Sequence, residues 1–172
     1  MKKANKRSAA DLKAKFEKLG VDNVEFSIED ELDEDANPRL APLVMLNQFW
    51  QGCLPKDDPE WITDLIRHFE NRKNLTGVAA AMWPEEGDYL KALIAARDSG
   101  LDLKHIAVIS RKAQEHLLHH IAYTLSDPYT DEELFKDVYW SVFETTEDGD
   151  PLRKMNCLHE YYGLVEPGRG NN

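Results

Sequence analysis

The sequence predicts a mainly helical α+β protein, five to six helices around one core with a small antiparallel β element ending in a C-terminal hairpin. Three observations carry this. Apolar side chains recur every three or four residues over several segments, these segments begin and end with helix-terminating residues, and period-two alternation is confined to short stretches. At 172 residues the chain has the length of one domain, and it is 42% apolar, enough to bury a core. The expected organisation is a flexible basic arm over residues 1–7, one globular domain over 8–165 and a disordered tail over 166–172.

The first element follows from Ser8 and Asp11 in capping-box spacing, Leu12, Phe16 and Leu19 on one face, and Gly20 as stop. Val24, Phe26 and Ile28 then alternate with polar residues, which predicts a strand. Next, Glu29, Asp30, Glu31, Asp33, Glu34 and Asp35 place six carboxylates in seven residues, read as an exposed loop. A helix fits between Pro42 and Gly52. A stronger one runs over about 59 to 73, with Asp58 as N-cap, Pro59 at the first position, and Trp61, Ile62, Leu65, Ile66 and Phe69 on one face. Pro84, Glu85 and Glu86 open another, with Tyr89, Leu90, Leu93 and Ile94 at core spacing and Gly100 as stop.

From Asp102 to Leu125 the positions Leu103, Ile106, Ile109, Ala113, Leu117, Ile121 and Leu125 favour one long helix over a strand at 105–109, and place Leu117 and Ile121 in the core. A second capping box, Thr130 to Glu133, leads into Leu134, Phe135 and Val138. The β-rich stretch from Tyr139, the Asp148-Gly149 turn and the alternation from Arg153 to Tyr161 predict the hairpin.

Charge is unevenly spread. Residues 1 to 20 carry seven basic and two acidic side chains, whereas the whole chain has net charge −11. Such a body repels phosphate and disfavours nucleic acid, favours basic partners and keeps a cytoplasmic protein in solution. No apolar run approaches a membrane span, and two cysteines, Cys53 and Cys157, cannot build a disulfide framework. No cofactor is expected, and the oligomeric state is left open.

Catalytic signatures are sparse: no Gly-x-Ser-x-Gly elbow, no Walker A loop, and no assignable base for either thiol. The tryptophans Trp50, Trp61, Trp83 and Trp140 are spread one per element, which is core usage. One cluster invites metal chemistry. His116 and His120 stand four apart on one helical face, with Glu115 and His119 beside them, but no spacing identifies a third ligand among Glu115, Asp64, His68, His159 and Glu160, and the HExxH pattern is absent. The reading is therefore of a small acidic protein, leaning away from an enzyme, that acts by protein–protein binding as an inhibitor, immunity protein, antitoxin or adaptor. The alternative is a small metal-dependent enzyme or metal-binding protein using His116, His119 and His120. Glu29, Asp30, Glu31, Asp33, Glu34 and Asp35 are the expected partner-binding residues, approached by a basic partner or by the chain's own N-terminal arm.

Overall fold

A computed structural model describes residues 7–72, 86–127 and 139–167. Predicted features at 1–6, 73–85, 128–138 and 168–172, among them Trp83, the Pro84 helix start, the Thr130 capping box and most of the tail, lie outside the described residues. The fold is mainly helical with a two-stranded antiparallel sheet near the C-terminus. The chain divides into two compact units: residues 1–52 with 116–172, and residues 53–115. Among the described residues no helix is long and apolar enough to cross a membrane.

In the first unit, α1 spans Ala9–Lys18. The Ser8 hydroxyl accepts from the Asp11 amide at 3.2 Å, Leu12 and Phe16 are buried, and the chain leaves through Gly20 at φ +70°, a left-handed turn that glycine adopts without a Cβ clash. The strand expected over 24–28 is instead a helix, α2, Val24–Leu32. Asn23 caps it by accepting from the Phe26 amide at 3.2 Å, and Ser27 and Glu31 face inward one turn apart. The Val24/Phe26/Ile28 alternation misled because Val24 and Ile28 also satisfy i,i+4 spacing, while Phe26 is exposed. Helix α3, Leu40–Gln51, buries Leu40, Leu43, Leu46 and Trp50, and carries Pro42 in its first turn. The indole of Trp50 donates to the Tyr162 carbonyl at 2.6 Å and stacks on the Tyr162 ring.

The second unit holds α4, Glu60–Arg72, α5, Glu86–Asp98, and the start of α6, Leu103–Ser126. Asp58 accepts from the Glu60 amide at 2.8 Å and Asp102 from the Lys104 amide at 3.0 Å, so both helices are capped by aspartate. Ile62, Ile66, Leu93 and Ala107 form the core here, with Trp61, Leu65, Ile94, Leu103 and Ile106 packed around them. Tyr89, expected at core spacing, is instead exposed, because its neighbours Leu90 and Leu93 take the inward face of α5. Arg111 is also buried, donating to the Leu54 carbonyl at 2.9 Å, while Gln114 accepts from the Leu54 amide at 2.7 Å; two side chains of α6 thus satisfy both backbone polar groups of Leu54, in the loop before α4.

The single helix expected over 102–125 is present, but its inward face is not the one its large apolar residues suggest. Ala107, Arg111, Leu118 and Ala122 are buried, whereas Leu117 is 58% exposed and Ile121 is exposed as well. Two alanines and an arginine on the buried face hide the pattern from a hydrophobicity count.

The hairpin pairs β1, Phe143–Thr145, with β2, Pro151–Lys154, antiparallel and with an irregularity between its two registered pairs; Gly149 makes the turn at φ +86°. The second strand ends at Lys154, short of the predicted stretch to Tyr161. The chain instead turns into a short helix α7, Leu158–Tyr161, and a 3-10 turn, Tyr162–Val165. Cys157, before α7, has φ +56°, a left-handed conformation that costs an L-residue with a Cβ roughly 1–2 kcal/mol. Cys157→Gly is therefore expected to be neutral or stabilising by up to about 1 kcal/mol in urea denaturation, while Cys157→Ala retains the strain. A glycine variant less stable than the alanine variant would contradict this.

Candidate functional site

The acidic segment is where chemistry concentrates, and the structure divides it. It is not an extended loop: Glu29, Asp30 and Glu31 belong to the last turns of α2, and Asp33 to Asp35 follow directly. Glu31 points inward, its side chain 2% exposed. Its carboxylate accepts from the Arg39 and Leu40 amides at 2.7 and 2.9 Å, so it supplies from α2 the anionic cap that Arg39 does not give α3. It also pairs with Arg7 at 2.7 Å and with Arg153 of β2.

Glu144 of β1 completes the group, accepting from Arg7 at 2.6 Å and from Arg153 at 3.0 Å. Burial alone would push the Glu31 carboxyl up, but the Leu40 and Arg39 amides and the Arg153 guanidinium hold it below its ordinary value. Every strong group here has a partner, so the cluster joins the residue preceding α1 to α2, α3 and the hairpin. It is a fastening, not a reactive centre.

The opposite face of α2 differs. Glu25, Glu29, Asp33, Glu34 and Asp35 are exposed, and between them stand Phe26 and Leu32, 47% and 49% exposed. Arg39 pairs with Asp30 at 2.7 Å and lies over the Phe26 and Tyr161 rings at 4.9 and 5.4 Å. Lys13 stands 4.0 Å from Glu25, while Glu29, Asp33, Glu34 and Asp35 make no ion pair with a described residue. The N-terminal arm thus meets the acidic segment, through Arg7, only at its buried member among the described residues.

The histidine cluster is also divided. His116 and His120 are exposed. His119 packs its ring against Tyr162 at 4.8 Å, and Glu115 is held by Lys112 at 2.6 Å and Arg111 at 3.4 Å. Burial acts to raise the Glu115 pKa, but these two cations outweigh it and keep the carboxyl below its ordinary value. Asp64 pairs with Arg67, and His159 lies against Tyr123. Among the described residues no group of three or more histidine, cysteine, aspartate or glutamate side chains is placed to hold a metal ion.

Burial pushes the Cys53 thiol up, away from thiolate character, with Arg111 opposing and Glu115 adding to the shift. A shallow hollow of ≈ 170 Å³, lined by Thr63, Ile66, Arg67, Glu70 and Arg97, falls short of the ~300 Å³ or more that ligand pockets occupy.

Sequence reasoning offered the N-terminal arm, which holds Arg7, as a counter-charge for the acidic segment, but missed Arg39, Glu144 and Arg153 as members of the Glu31 cluster. The one available signal is that Glu144 and Arg153 occupy inward positions of a hairpin, where a lone charge would be costly and a pair would not. No family model matches the chain, and no curated protein or solved structure matches it.

Proposed function

We propose that this protein acts by binding another protein, as an inhibitor, immunity protein, antitoxin or adaptor does, and that it engages a basic partner through the outer face of α2. The observation that carries this reading is the placement of two half-exposed apolar side chains, Phe26 and Leu32, among the carboxylates of Glu29, Asp33, Glu34 and Asp35, which make no ion pair with a described residue. Apolar anchors within a charged rim are how interfaces divide their work: anchors set the lifetime of the complex, the surrounding charge sets the rate of encounter. Asp30 and Glu31 have internal partners, so they position the surface and do not face the partner.

Recovery of the partner from the native host with wild-type protein, followed by binding kinetics, tests the reading. Phe26→Ala or Leu32→Ala is expected to weaken the complex by about 2 kcal/mol, mainly through faster dissociation. Glu29→Gln with Glu34→Gln should slow association and flatten its dependence on salt. A partner whose association and dissociation rates are untouched by both sets places the interface elsewhere.

A further inference from the structure

We infer that His116 and His120 form a solvent-open, two-imidazole chelate for a divalent transition-metal cation, a site independent of the α2 surface. Both residues lie on α6, four positions apart, so their side chains rise from the same face one turn from each other. That face is turned away from Leu118 and Ala122, which are buried, so the helix is anchored behind the pair and the backbone spacing is set before any ion arrives. The imidazoles are exposed and make no hydrogen bond, ion pair or ring contact with a described residue. In this they differ from His119 and His159, whose rings pack on Tyr162 and Tyr123.

Lys112, one turn before His116, is the nearest cation on this face by spacing, and its ammonium is paired with Glu115. A net charge of −11 further favours cations at the surface. Imidazole nitrogen suits Cu²⁺, Ni²⁺ and Zn²⁺, with Cu²⁺ bound most tightly in the usual order. Two protein ligands leave the other positions to water, so the ion is exchangeable and contributes nothing to the fold, unlike a closed four-ligand site.

The test is titration of the full, untagged chain with Cu²⁺ and with Zn²⁺ by calorimetry, with electron paramagnetic resonance reading the nitrogen ligands of Cu²⁺. Wild-type protein is expected to bind one ion with the copper spectrum of a two-nitrogen site. His116→Ala and His120→Ala should each lower the affinity about tenfold or more, because either change removes the chelate and leaves one ligand. His105→Ala, at an exposed histidine near the start of the same helix, should leave the affinity unchanged. Absence of saturable binding to wild type, equal binding by wild type and either single variant, or an equal loss in His105→Ala would each overturn the assignment. Since all three positions are exposed, circular dichroism should show the helix intact in every variant.

Discussion

Glu31→Ala is expected to cost about 3–5 kcal/mol in urea denaturation, the range for removing one partner of a buried ion pair. Four donors lose their acceptor at once: the Arg39 and Leu40 amides, Arg7 and Arg153. The two guanidiniums retain Glu144, which limits their loss, but the first turn of α3 keeps no replacement cap. Glu31→Gln should fall between, since it preserves an acceptor oxygen and removes the charge.

The same residue sets an acid limit. With its folded pKa below the ordinary 4.5, Glu31 contributes stability that is fully present above that value and is lost as pH falls through the folded pKa. Wild-type stability should therefore decline below about pH 4.5 more steeply than that of Glu31→Gln. Parallel acid profiles, or a loss under 1 kcal/mol in Glu31→Ala, would show that the cluster does not bear the load its geometry implies.

Leu118→Ala should lower stability by about 2–5 kcal/mol, while Leu117→Ala, one residue away and chemically identical, should change it by less than about 0.5 kcal/mol. Leu118 is 4% exposed and Leu117 58%, so only the first substitution opens a cavity. The pair is decisive because the apolar spacing along α6 argues the reverse. Similar effects at both positions would mean that both faces of the helix are packed.

What the sequence makes legible here is local. Ser8, Asp58 and Asp102 announce helix starts through their own side chains, and Gly20 and Gly149 announce turns, because each signal is read within a few residues of the feature it creates. What it hides is tertiary. Glu31 looks like one more repelling carboxylate in an acidic run until Arg153, 122 residues on, is placed beside it. The alternation at Val24 to Ile28 fits strand and helix alike, and the Asn23 cap decides in favour of the helix. On α6, burial follows fit against neighbours, so Ala107, Arg111 and Ala122 are inside and Leu117 is outside. At the candidate surface, the sequence marks the carboxylates but not which of them turn inward.

The division of the chain also orders its assembly during synthesis. Residues 53–115 are contiguous, so every side chain that packs within that unit has been made by the time residue 115 is added. The other unit is split around it. Trp50 and Glu31 are made early, yet their partners Tyr162 and Arg153 are among the last described residues to be added. A nascent chain halted soon after residue 115 therefore carries the complete parts for one compact unit and, for the other, a tryptophan without Tyr162 and a carboxylate that has Arg7 and the Arg39 and Leu40 amides but not Arg153. In order of synthesis, the middle unit is therefore complete before Tyr162 and Arg153 exist to meet Trp50 and Glu31.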